Sequence, residues 1–130
     1  ISPKIAKSAS AIMSKLSCGK YSEIGIDPDF AMTFTDGAST HTADYFSAGT
    51  SDIAYISLRI ALMEVLFTKS KPPLIFDESF ARTDDARLSA ALKLISEGLE
   101  GCSSQSLIFT CHGREERAMA AVGNYNLIRL

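Results

Sequence analysis

Leu74-Ile75-Phe76-Asp77-Glu78 decides how this chain is read. Three successive apolar residues without alternation mark a short strand of the kind buried in a parallel sheet. Two adjacent carboxylates then stand at its C-terminal end, where open α/β sheets gather their ligands. One carboxylate of such a pair can hold Mg²⁺ through water, and the other can orient or deprotonate an attacking water. An acidic strand end turned to solvent would show the same two residues.

Outward from this strand, the pattern alternates. On the N-terminal side, a helix from about Ser51 to Thr68 is apolar nearly all round, with Ile53, Ile56, Ile60, Met63 and Phe67 on one stripe and Leu58, Leu62 and Val65 on another. Such a helix is expected to be buried on most sides. Lys71-Pro72-Pro73 stops it. On the C-terminal side, Asp85 to Leu99 reads as a helix with Leu88, Leu92, Ile95 and Leu99 inward, Leu107 to Cys111 as a second buried strand, Arg114 to Val122 as a helix, and Tyr125 to Leu130 as a last strand. The order from residue 51 onward is αβαβαβ, which implies a largely parallel sheet packed by helices. Before it, Ser2-Pro3 caps a helix carrying Ile5, Ala9, Ile12 and Leu16 to about Ser17. Two short strand candidates follow, Tyr21 to Ile26 and Phe30 to Thr35. Asp36-Gly37 then makes a turn, and the polar stretch to about Asp44 reads as loop.

The 130 residues are 46% hydrophobic, enough for one domain with a real core, and the net charge of −2 gives no standing attraction to DNA or an anionic membrane. The run Ile53 to Phe67 is broken by Ser57, Arg59 and Glu64 and does not span a membrane. The 3 cysteines form no CxxC, and neither His41 nor His112 completes a zinc pattern. Reduced thiols in a cytoplasmic protein are the simple reading, with Cys111 a buried small apolar residue of no redox role. The chain opens on Ile1 without methionine and reads as a fragment of something longer.

Two further features share the framework of the Asp77-Glu78 strand. Phe46-Ser47-Ala48-Gly49-Thr50 stands directly before the buried helix, where unpaired N–H groups and small residues admit a phosphate, or where a Ser/Thr cap simply follows a turn. Leu107-Ile108-Phe109-Thr110-Cys111-His112 is a strand ending in histidine, which could donate to a terminal phosphate or be an ordinary loop residue.

The three features in this order resemble an ABC-type ATPase head. Ser47-Ala48-Gly49-Thr50 looks like the ABC signature, usually Ser-Gly-Gly-Gln or Ser-Gly-Gly-Glu. Phe76-Asp77-Glu78 looks like the Walker B end, Ala81-Arg82-Thr83-Asp84 stands at the D-loop position, and His112 at that of the switch histidine. The tract Ser51 to Leu62 and the Thr110-Cys111-His112 ending look most like SMC/RecF/RecN-type ATPases, YhaN-like ones in particular. The resemblance covers nearly the whole chain as a C-terminal lobe. Residues 1–17 would be the base of a coiled-coil arm, 18–46 short strands and loop, 47–70 the signature and its helix, and 71–130 the Walker B, D-loop and switch-histidine region.

The resemblance implies roles as well. Asp77 would hold Mg²⁺ through water, Glu78 would polarise the hydrolytic water, and His112 would sense the γ-phosphate. Ser47, Ala48, Gly49 and Thr50, with Asp84, would meet ATP or the facing subunit across a head–head dimer. Arg59 would relay nucleotide state, or else be a partly buried ion-pair partner of Glu64 or another acid. Ala48, Thr50 and Ser79 depart from the usual glycine, Gln/Glu and proline. No G-x-x-x-x-G-K-[ST] occurs, since Cys18-Gly19-Lys20 lacks the earlier glycine and the following hydroxyl. The implied whole is therefore this lobe joined to an N-terminal Walker A lobe and paired with a second head, hydrolysing Mg-ATP in DNA repair or chromosome maintenance. The lobe alone is expected to be inactive. DNA is a candidate ligand of the whole protein, although Arg114 with Arg117, and Lys4 with Lys7, equally suit solvated helix faces. The alternatives are the nucleotide-binding lobe of an ABC transporter and a non-catalytic dimerisation lobe.

Overall fold

Helix α1 (Pro3–Leu16) buries Ile5, Ala9, Ile12, Met13 and Leu16, a single stripe at helical spacing. Its end is set by backbone chemistry: the Gly19 N–H donates to the Ser14 carbonyl at 2.8 Å, with Gly19 at φ +84°. That left-handed geometry favours glycine and closes the helix. Cys18-Gly19-Lys20 is thus a helix C-terminus, whose carbonyls repel rather than cradle a phosphate. The computed structural model describes residues 3–29, 31–98, 105–123 and 125–130. Ser2, Phe30, Leu99 and Cys102 lie outside them.

Strands β1 (Glu23–Ile26), β2 (Met32–Asp36) and β3 (Ser39–Thr42) form an antiparallel meander, with Ile24 opposite Phe34 and Phe34 opposite His41. β3 falls where the sequence reads as loop. It is polar on both sides, so no apolar alternation announces it. Its register comes instead from the tight Gly37-Ala38 turn, Gly37 having φ +56°. Tyr21, Phe34 and Phe46 meet edge to face, with centroids 4.9 Å apart for Tyr21–Phe46 and 4.5 Å for Phe34–Phe46. This cluster anchors the meander to the entry of the next helix, because Phe46 immediately precedes its cap.

Helix α2 (Ala48–Leu66) is capped by Ser47, whose Oγ accepts the Thr50 N–H at 3.2 Å. Ala48, Gly49 and Thr50 are therefore its first turn, where the sequence reading has them before the helix. Ile53, Ala54, Ile56, Ser57, Leu58, Ile60 and Ala61 are buried. The expected burial on most sides stops there: Tyr55 and Arg59 are exposed, and Leu66 and Phe67 open the last turn.

Strand β4 (Leu74–Asp77) pairs in parallel with β5 (Ser106–Phe109), setting Leu74 opposite Ser106 and Asp77 opposite Phe109. Helices α3 (Asp85–Gly98) and α4 (Gly113–Val122) pack on each other, and α3 also packs on α1. Leu74 and Phe76 point into the core while Ile75 and Asp77 face outward. The last strand expected over Tyr125 to Leu130 is not formed. That segment has no strand neighbour among the described residues, and Leu127, Ile128 and Leu130 are exposed. Backbone groups without a ladder stay with water.

Phe34 is 1% exposed and joins the meander to the α2 entry. Phe34→Ala should lose about 3–5 kcal/mol, read as a lower urea midpoint.

Candidate functional site at the end of the parallel strands

Asp77 closes β4, exposed, and its carboxylate forms no hydrogen bond or ion pair among the described residues. Glu78 is the first residue beyond the strand. Its N–H still donates to the Phe109 carbonyl at 2.9 Å, yet its φ is +50°, a left-handed conformation that L side chains rarely take. Such strain persists only where surroundings enforce it, and it gathers at functional sites. Here the consequence is plain: the twist turns the Glu78 carboxylate toward the end of the neighbouring strand.

There the carboxylate is held from three sides. The Cys111 N–H donates to Oε1 at 2.5 Å, Thr110 Oγ1 lies 3.5 Å from Oε2, and His112 Nε2 lies 3.5 Å from the same oxygen. The backbone N–H of Cys111, more than His112, holds the Glu78 carboxyl below its ordinary pKa. A depressed carboxylate is already ionised at neutral pH and loses its charge only below the usual Glu range. The Cys111 thiol, exposed where the sequence reading has it buried, is raised in pKa by its hydrogen bond to Glu78 and by that carboxylate's charge, so that it stays protonated at neutral pH. His112 is half exposed, precedes α4 as its cap residue, and donates its own N–H to Thr110 Oγ1 at 3.0 Å.

The first turn of α2 lies against the loop that follows Glu78. A methyl built on Gly49 would stand 2.3 Å from the Arg82 carbonyl oxygen. Glycine at this position is therefore required by the loop of its own chain. Arg82 grips Asp52 on α2 in a bidentate pair at 2.8 and 2.5 Å. Thr50, 4% exposed, bonds the Ser47 hydroxyl at 2.9 Å and receives Arg87 Nη1 at 2.7 Å. Asp84 caps α3, its Oδ1 accepting the Arg87 N–H at 2.9 Å. Asp52, Tyr55, Ile56, Glu78, Ser79 and Arg82 line one shallow depression.

Of the residues singled out in the sequence, Glu78, Cys111 and His112 come together at one point, with Asp77 adjoining. Ser47, Gly49, Thr50 and Asp84 form a second group around the loop. Arg59 does not pair with Glu64, whose Oε2 accepts the Ser8 hydroxyl. Its guanidinium instead lies 5.6 Å from the centre of the Phe76 ring, against the strand that carries Asp77. Arg114 is no free cation either. It donates to the Phe80 carbonyl at 3.0 Å, to the Thr83 carbonyl, and to Asp85 at 3.2 Å, clamping the loop from the side of α4. Arg114 and Arg87 are the positioning residues that sequence reasoning misses. Only the Asp84-x-x-Arg87 spacing at a helix start hints at the second. Buried beside the loop, the Thr83 hydroxyl and the Glu115 carboxylate find no hydrogen-bond partner among the described residues.

The fold has solved counterparts. A structure from work on ATP-driven dimerization and DNA-stimulated activation of SMC ATPases superposes with a TM-score of 0.70 at 21% identity, over 88% of this chain and 71% of that one. The Smc head of Pyrococcus furiosus, bound to the C-terminal domain of ScpA, gives 0.67 at 22% identity, over 88% of this chain and 30% of that one. The SMC head of Thermotoga maritima gives 0.65 at 19%, over 90% and 41%. The chain has the fold of the C-terminal lobe of an SMC ATPase head. In sequence it is 32% identical over 113 residues to the uncharacterized protein YhaN of Bacillus subtilis. The match takes in 85% of this chain but only 12% of that protein's length. No family model matches the chain.

Two outcomes follow from these contacts. Gly49→Ala must push the Arg82 carbonyl aside and should cost about 1–3 kcal/mol in urea denaturation. Glu78→Gln removes the charge that suppresses the Cys111 thiolate, so iodoacetamide should label Cys111 faster at pH 7 in that variant than in the parent.

Proposed function

We propose that this chain is one half of an SMC-like ATPase head. Joined to a Walker A lobe supplied by the rest of a longer protein, it binds and hydrolyses Mg-ATP between two heads. The observation that carries the reading is the Glu78 carboxylate, fixed by the Cys111 N–H at the end of a parallel strand pair, with Asp77 before it and His112 against it. A carboxylate kept ionised and held in place can accept a hydrogen bond from an attacking water and orient it, the water-positioning role of phosphoryl-transfer sites. Asp77, free of partners among the described residues, suits Mg²⁺, a hard cation that keeps most of its own waters. His112, already in contact with Glu78, would link that base to the γ-phosphate.

The Ser47–Thr50 turn belongs to the other half of the reaction. Ser47 and the N-terminal N–H groups of α2 offer donors and a positive end to a phosphate on the facing head, while Gly49 and Thr50 hold that turn on its own loop. Asp84 serves the same interface through the capped start of α3. Arg59, resting on Phe76, is in place to report the state of the Asp77–Glu78 strand to the exposed flank of α2. A non-catalytic lobe has no need of a Glu held at a strained φ beside a free Asp, which favours the catalytic reading. A role in DNA repair or chromosome maintenance, with DNA bound by the whole protein, accords with the SMC-like fold.

The outward residues of the parallel pair, Ile75 and Phe109, are 45% and 46% exposed. Parallel sheets are ordinarily covered on both faces, and a Walker A lobe would complete this one.

In the full-length protein, Glu78→Gln should retain Mg-ATP binding by calorimetry, lower hydrolysis by about 10²-fold or more, and accumulate an ATP-bound dimer in size-exclusion chromatography. Turnover at the parent rate in that variant would remove Glu78 as the base. Failure of the full-length parent to bind Mg-ATP would remove the function.

A further inference from the structure

Glu78, Cys111 and His112 each offer one ligand atom, and the three atoms lie within 4.8 Å of one another. Cys111 Sγ stands 3.8 Å from His112 Nε2, and that nitrogen stands 3.5 Å from Glu78 Oε2. A tetrahedral zinc ion, with bonds of about 2.3 Å to sulfur and about 2.0–2.1 Å to nitrogen and oxygen, sets sulfur and nitrogen about 3.5 Å apart and nitrogen and oxygen about 3.3 Å apart. Two edges of the tetrahedron are thus present to within a few tenths of an ångström. The third edge, from Cys111 Sγ to the Glu78 carboxylate, is within 4.8 Å, and the exposed thiol is tied up in no disulfide.

We propose that Glu78, Cys111 and His112 form a binding site for a borderline-soft divalent cation of the zinc class, and that its occupation arrests ATP hydrolysis by tying up Glu78 and His112. The regulatory half rests on the ATPase reading above; the metal site itself does not. Thiolate and imidazole select such ions and reject Mg²⁺, which prefers oxygen ligands and octahedral geometry. The site is therefore chemically separate from the neighbouring Asp77, although the two are one residue apart in the chain. Three protein ligands leave a fourth position for water. On binding, the Cys111 thiol proton passes to solvent and sulfur coordinates as thiolate. All three side chains are at least partly exposed, so an ion can enter without unfolding the strand ends.

The test uses the full-length, reduced protein titrated with Co²⁺ in the absence of nucleotide, with Zn²⁺ as competitor. The expected result is a tetrahedral visible spectrum with a near-ultraviolet thiolate-to-cobalt band, displaced by Zn²⁺. It should vanish in Cys111→Ser and survive in Cys18→Ser and Cys102→Ser. Glu78→Gln and His112→Ala should weaken Co²⁺ binding by at least about tenfold, with parent-like circular dichroism showing that they fold. In the same protein, the Zn²⁺ concentration that halves Mg-ATP hydrolysis should rise at least about tenfold in Cys111→Ser. A thiolate band that survives Cys111→Ser, or an octahedral spectrum alone, overturns the site. A Cys111-dependent band in a protein that hydrolyses no ATP upholds the site and overturns the ATPase reading. A Cys111-dependent band with hydrolysis indifferent to Zn²⁺ overturns the regulatory half.

Discussion

Between Glu78 and Asp85 the chain passes so close beneath the first turn of α2 that Gly49 has no room for a methyl group, and this contact sets the geometry of both candidate groups. The Arg82 carbonyl fills the space a side chain would need. Around it, the loop is tied to α2 through Arg82 and Asp52 and to α4 through Arg114, while Arg87 at the start of α3 reaches Thr50 in the first turn of α2. Surface pairs of this kind contribute little one at a time, but together they restrict a short segment that has few buried side chains of its own. Phe80, 1% exposed and packed beside Phe76, supplies the apolar anchor beneath them. The Ser47–Thr50 turn and the carboxylate pair are therefore joined through one loop within this chain, whatever each meets outside it.

The electrostatics at the strand ends follow from a single backbone donor. Once the Cys111 N–H points at Glu78, the carboxylate is ionised, and its charge keeps the adjacent thiol protonated. That balance favours water chemistry over thiol chemistry at neutral pH. It also explains how a cysteine can sit beside a catalytic candidate without reactivity of its own. A metal ion reverses the balance, because its charge outweighs the carboxylate's and stabilises the thiolate.

Much of the fold was legible because its signals are periodic. The α1 stripe, the apolar α2, and the short unalternating runs of β4 and β5 follow from burial alone. β3 was not legible, since Ser39-Thr40-His41-Thr42 has no apolar face and owes its place to a turn and a neighbouring strand. Tyr125 to Leu130 misled in the opposite sense: its apolar composition suits a strand, but a strand also needs a ladder partner. In the site, Asp77, Glu78 and His112 could be found because strand ends are predictable from the apolar runs before them. The clamp formed by Arg114, Arg87 and the Arg82–Asp52 pair could not, because it depends on loop geometry that carries no periodicity. Gly49 was visible as a glycine, but a glycine in sequence does not say whether it makes room for a phosphate or for its own backbone.

The position of Arg59 shows why local sequence logic was insufficient even on a regular helix. Glu64 lies on the same helix and has the opposite charge, yet it points to Ser8 on α1. The five-residue spacing turns the two side chains to different sides, since helical neighbours recur at three and four. Arg59 is left facing the β4 edge, where the ring of Phe76 presents the available electron-rich face. Phe76 is fully buried, so the cation meets β4 through an aromatic contact that no charge pairing would suggest.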